Sequence, residues 1–201
     1  MVKADCGGCN GCSRCCHGMG NSIILDPYDV YRMTTGMGKS MQELLAASVE
    51  LNVVDGVILP NLKMQGAEEA CAYLDGEGRC SIHPYRPGIC RLFPLGRYYE
   101  NGGFSYFLQT GECAKENRSK IKVSKWIDTP DLTRNQQFTL QWHDLLHAME
   151  ERLTGEDEGK QREENLLLLR LFYLLPYKGT IDFYTQFTER MEHWNGQNGQ
   201  I

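Results

Sequence analysis

Residues 6–16 read CGGCNGCSRCC, which places Cys6, Cys9, Cys12, Cys15 and Cys16 within eleven positions of a 201-residue chain. Two-residue spacers let a loop curl round one point with successive sulfurs turned inward. Gly7, Gly8, Gly11 and Gly18 relieve the backbone crowding that such a curl creates. Residues 1–20 carry little apolar periodicity, so they read as a loop organised by what it binds. Cys71, Cys80, Cys90 and Cys113 follow, and no cysteine lies beyond them. The chain therefore divides into a cysteine-cluster metal-binding domain, residues 1–115, and a helical C-terminal extension, residues 116–201, packed on it.

The thiols should be reduced. The N-terminal Met-Val-Lys-Ala-Asp-Cys has no apolar h-region, which predicts a cytoplasmic protein, and short regular cysteine spacings in a reducing compartment read as ligands. The odd count of nine argues against a closed disulfide framework. A net charge of -5 and an isoelectric point near 5.6 supply no attraction to nucleic acid or an anionic surface. The most apolar run, Leu166–Leu175, is broken by Arg170 and too short to span a bilayer. The expected partner is thus a redox or protein partner, not nucleic acid or membrane.

Thiolates are soft ligands that select iron–sulfur clusters, zinc or cuprous copper. Cys6, Cys9, Cys12 and Cys16 have the C-x2-C-x2-C-x3-C spacing of bacterial ferredoxins, although His17 follows where that run has proline. Cys9, Cys12, Cys15 and Cys16 read instead as CxxCxxCC. Adjacent side chains diverge, so Cys15 and Cys16 suit two sites, or two irons of one cluster, better than one tetrahedral zinc. Structural zinc sites use two closely spaced ligand pairs, and the later cysteines supply none. The balance favours iron–sulfur, with 4Fe-4S type expected and zinc as the alternative; two four-thiolate clusters and one larger cluster both fit the spacing. The radical-SAM spacing CxxxCxxC is absent.

CxxCxxCC followed by Cys80-Ser-Ile-His-Pro-Tyr-Arg-Pro-Gly-Ile-Cys90-Arg-Leu-Phe-Pro resembles the YkgJ-type cysteine-cluster family, also called the zinc- or iron-chelating domain, to which flagellin lysine N-methylases are similar. The resemblance covers residues 9 to about 96. It implies Cys9, Cys12, Cys15, Cys16, Cys71, Cys80 and Cys90 as ligands, with Cys113 continuing the set and Cys6 outside the core motif. Arg86 and Arg91 in the second motif could bind the cofactor by donating to cluster sulfides or neutralising thiolate charge. They could equally pair with acidic surface groups. His17 and His83 could serve as alternative ligands, but a lone His near a cysteine site is more often an exposed or supporting residue. Three functions remain open: electron transfer or redox chemistry, a structural zinc or iron module for protein interaction, and a cluster-dependent methyltransferase-like enzyme. No glycine-rich nucleotide loop follows a strand.

The fold class expected is small α+β: an irregular cysteine-rich metal core with short helices and a hairpin, plus the helical extension. Asp26-Pro27 should open a helix that Gly36 stops. Ser40-Met-Gln-Glu43 is a capping box for a helix to about Leu51. Residues 53–59 suggest one short strand before Pro60. Arg97–Glu100 and Phe104–Leu108 flank Asn101-Gly102-Gly103 as a hairpin, to which Cys71–Leu74 could add a strand. Phe138, Trp142, Leu145, Met149 and Leu153 mark one apolar helical face. A leucine-rich helix from about Arg162 to Leu175 ends at Pro176. Thr180 should cap a final helix carrying Phe183, Phe187, Met191 and Trp194, with a disordered end from Asn195. His143 and His147 lie one turn apart and read as a surface or core pair.

Overall fold

The computed structural model describes residues 1–5, 12–113 and 118–198. It is an α+β protein in which every sheet is a two-stranded antiparallel ribbon. In chain order the first elements are β1 (Val2–Asp5), α1 (Pro27–Met37), α2 (Met41–Ala47), β2 (Val49–Val54), β3 (Val57–Leu62), β4 (Met64–Gln65) and β5 (Ala70–Cys71). Then come α3 (Gly88–Leu92), β6 (Leu95–Glu100), β7 (Gly103–Leu108), β8 (Ser119–Ile121) and α4 (Val123–Ile127). Three longer helices close the chain: α5 (Leu132–Leu153), α6 (Glu158–Leu169) and α7 (Phe183–Asn198).

Local chemistry explains the helix starts. Asp26 accepts the Asp29 amide at 2.8 Å, and Asp29 accepts the Asp26 amide at 3.2 Å. This is a reciprocal capping box built from two aspartates. Ser40 and Glu43 make the expected box on α2. That helix ends at Ala47 rather than near Leu51, because Val49–Val54 is drawn into β2 against β3. The single strand expected at 53–59 is therefore a hairpin. Its turn is Asp55-Gly56, with φ of 51° and 81°, the positive-φ pair that a two-residue turn requires. The β6–β7 hairpin forms as expected, with Asn101 and Gly102 at φ 50° and 69°. Cys71 does not join it; β5 pairs with β4.

Gly36 does not stop α1. The helix continues to Met37 and ends on Gly38 in the left-handed conformation. Gly36 serves a close approach: a Cβ there would lie 2.3 Å from the Tyr85 ring. The leucine-rich helix α6 passes into a π-helical turn over Arg170–Leu174. At α7 the first-turn amide of Thr185 donates to Asp182, not Thr180. The helix runs past Asn195 to Asn198.

A main core joins most of these pieces, while Leu92, Leu95 and Ile127 form a smaller second one. Leu25, Val30, Met33, Leu44 and Leu62 pack with Phe138, Trp142, Met149, Phe172, Phe183 and Phe187. The main core thus draws on residues from both sides of position 115. β1 also crosses that position by pairing with β8. No helix among the described residues is long and apolar enough to cross a membrane.

Candidate metal centre

Backbone pairing lays the segments that carry Cys15, Cys16, Cys71 and Cys80 beside one another. A 3₁₀ turn over Arg14–Cys16 presents Cys15 and Cys16. His17 then bridges to Ala70, and the Gly18 amide donates to the Glu69 carbonyl at 3.0 Å. These two contacts lay the turn beside β5 and its Cys71. A second bridge joins Leu74 to Cys80, closing a loop whose Glu77 and Arg79 amides donate to Asp75 at 3.0 and 2.8 Å. Cys90 arrives on α3. Its helix is tied to α1 by the Gly88 amide, which donates to the buried Asp29 carboxylate at 2.7 Å. Asp29 thus caps one helix and positions another, a role that its place in the sequence alone did not reveal.

The thiols of Cys15, Cys71, Cys80 and Cys90 lie within one another's electrostatic reach. Burial pushes Cys71, Cys80 and Cys90 above the ordinary thiol range, and neighbouring thiolates add to this. Cys15 moves the other way, down to about 6, chiefly because Cys16 donates a hydrogen bond to it; Arg86 contributes a smaller lowering and burial opposes. The same bond pushes Cys16 up. Two adjacent sulfurs sharing a proton titrate as a pair.

The two arginines differ. Arg86 lies near enough for its charge to favour the thiolates of Cys15 and Cys80, although burial leaves Cys80 raised. Arg91 is buried, and its guanidinium donates to the carbonyls of Asp128 (2.6 Å), Pro84 (2.9 Å) and Arg86 (3.3 Å). It braces the loop that carries Arg86. Arg32 also donates to the Pro84 carbonyl. Burial and the charges of Arg86 and Arg91 lower the pKa of His83 below the ordinary imidazole range. His17 sits with Nδ1 3.4 Å from the Glu68 carbonyl.

Cys12, Cys15, Cys16, Cys71, Cys80, Cys90 and Cys113 all carry free, half-buried thiols. Cys6 and Cys9 lie outside the described residues. Among the described residues no three His, Cys, Asp or Glu side chains stand together at metal-ligating separation. In kind the donor set fits a thiophilic metal: soft sulfurs from four chain segments, with a guanidinium beside them. His143 and His147 form no such set. His143 stacks on Tyr99 with centroids 3.7 Å apart, and His147 reaches Glu151 at 3.6 Å on the surface.

No curated protein and no solved structure matches the chain. A family model, CxxCxxCC, described as "Putative zinc- or iron-chelating domain", matches residues 8–139. That span runs into α5, takes in every cysteine from Cys9 to Cys113, and leaves Cys6 outside. With two-thirds of its length covered and both cysteine motifs inside the match, the chain belongs to the CxxCxxCC family, a domain class described by zinc or iron chelation.

Proposed function

We propose that the chain is an iron–sulfur protein with an electron-transfer or redox role, its cluster of 4Fe-4S type. What supports this reading is the adjacent pair Cys15–Cys16, within electrostatic reach of thiols from three distant segments, Cys71, Cys80 and Cys90. An adjacent pair is awkward for a single tetrahedral zinc but suits a multi-iron centre, whose ligands diverge to different metals. Cys9 and Cys12 would complete the N-terminal ligands, with Cys113 next; Cys6 is the most dispensable. When bound, such a cluster supplies one-electron chemistry. The chain's own residues do the rest. Arg86 offsets thiolate charge, Arg91 ties two carbonyls of the Arg86 loop to that of Asp128, and Asp29 fixes the start of the helix that presents Cys90. A reducing, cytoplasmic setting with a redox partner accords with this use of thiols.

Zinc is the second reading, favoured by the family's own description and by the soft ligand set. Iron, zinc and acid-labile sulfide should be measured in protein prepared without oxygen. Brown protein with iron and sulfide in near-equal amounts, and a reducible EPR signal, is the expected result. A colourless, folded preparation with stoichiometric zinc and no sulfide would sink the iron–sulfur reading.

A further inference from the structure

The β1–β8 ribbon has two unlike faces. Val2 and Ala4 turn inward, Val2 onto the smaller core and Ala4 fully buried. Strand residues alternate, so Lys3 turns outward, and the register sets it directly opposite Lys120. Lys122 lies two residues on in extended backbone and therefore shares the Lys120 side. Lys125 follows three residues later on α4, one helical turn round from Lys122. All four are exposed, and none pairs with a carboxylate among the described residues. Asp5 is the only carboxylate on these three elements; it is half-buried and already engaged. Asp128, just past α4, sets its charge against Arg91 instead.

Like charges directly opposite weaken a two-stranded ribbon, which is marginal to begin with. Lysines do guard open strand edges, but that role ends with the strands and leaves Lys122 and Lys125 unexplained. The face is also mounted on the segment that carries Cys90. The Trp126 indole N–H of α4 donates to the Leu92 and Phe93 carbonyls at 3.3 and 3.2 Å, and Arg91 donates to the Asp128 carbonyl at 2.6 Å. Arg91 and Leu92 share α3 with Cys90. We propose that this lysine face docks an acidic protein, the electron carrier that serves the metal centre. Charge complementarity selects a protein over an extended polyanion. Four lysines match an acidic patch of similar size, whereas nucleic acid or anionic membrane also meets the carboxylate surplus of a chain of net charge -5. That the partner carries electrons rests on the iron–sulfur reading; that it is acidic rests on the face alone.

The test titrates the full chain, purified without oxygen, by calorimetry against two acidic carriers of unrelated fold, a plant-type ferredoxin and a flavodoxin, and against one basic carrier, cytochrome c. At least one acidic carrier should bind and cytochrome c should not. Raising salt from about 25 to about 250 mM should weaken the complex about ten-fold. Lys3→Gln with Lys120→Gln should weaken it about five-fold, and adding Lys122→Gln and Lys125→Gln should abolish it. Removing opposed like charges relieves the ribbon, so lost binding is not lost fold. The charge-matched pair Lys39→Gln and Lys178→Gln, at exposed lysines outside the ribbon, should change nothing. No binding of either acidic carrier, equal binding of cytochrome c, or a complex that survives the four substitutions would each overturn the proposal. So would tighter, lysine-dependent binding to duplex DNA or to vesicles of equal parts phosphatidylserine and phosphatidylcholine. Metal and sulfide analysis of the same samples tells a failure of the iron–sulfur reading from a failure of docking.

Discussion

Cys15 and Cys16 titrate as a pair, Cys15 lowered and Cys16 raised, whereas burial favours the protonated Cys71, Cys80 and Cys90 thiols. Metal needs thiolates, so loading must expel those protons. Raised thiols in the metal-free state mean that apparent affinity climbs with pH, by about tenfold per unit for each proton displaced, and falls on acidification. Chelator competition between pH 8 and pH 6 should show metal retention dropping steadily; a flat profile would mean that the raised thiols are not ligands. Substitution sorts the same residues. Cys12→Ser and Cys90→Ser should release metal and destabilise the fold, since site energy is folding energy. Cys6→Ser should keep its metal, because the family match begins after it. Equal loss in all three, measured as iron per chain, would point instead to the ferredoxin-like spacing that includes Cys6. These roles were legible because cysteine spacing is a local signal. Asp29 was not: its partner Gly88 lies 59 positions away, and no local pattern announces such a bond.

Among elements, success and failure of sequence reading track the range of the deciding interaction. The Ser40–Glu43 box and the Asn101-Gly102 hairpin are written in four or five consecutive residues, and both form. Asp55-Gly56 is an equally local turn signal. It was submerged in the apolar run Val53–Leu59, which reads as one strand until Val49–Val54 is seen to pair back on it. Gly36 fails for another reason: a helix-ending glycine and a glycine admitting a neighbouring ring look alike in sequence. The two glycines at the end of α1 therefore make a matched test. Gly36→Ala must displace Tyr85, whose 3₁₀ turn His83–Tyr85 sits between Cys80 and Cys90. It should cost about 1–3 kcal/mol through overpacking and lower metal content. Gly38→Ala meets no neighbour and pays only for left-handed backbone, about 1–2 kcal/mol, with metal content unchanged. Denaturant melts and metal analysis of both variants check this. Identical metal content in the two would disconnect the Tyr85 turn from the centre.

For the whole molecule the question is what the helices after residue 115 do for the cysteines before it. The apolar stripe of α5 was legible, since Phe138, Trp142, Leu145, Met149 and Leu153 are all buried. What they bury against was not legible, because periodicity shows a face but never its partner. More than half of the buried residues in the main core come from beyond position 115. They cover Leu25, Val30 and Met33, beside the Asp26–Asp29 box that positions α3 and Cys90. Tyr173 adds a polar tie, donating to the Leu25 carbonyl at 3.1 Å. Removing that half strips water-excluding cover from α1, at about 25 cal/mol for each Å² of apolar surface re-exposed. A domain whose net stability is only about 5–15 kcal/mol does not survive such a loss. Residues 1–115 expressed alone should therefore show no cooperative thermal transition and should lose metal to a chelator far faster than the full chain. A truncated chain that melts cooperatively with its full metal content would show that the cysteine region folds around its metal unaided, and that the helices serve something other than its stability.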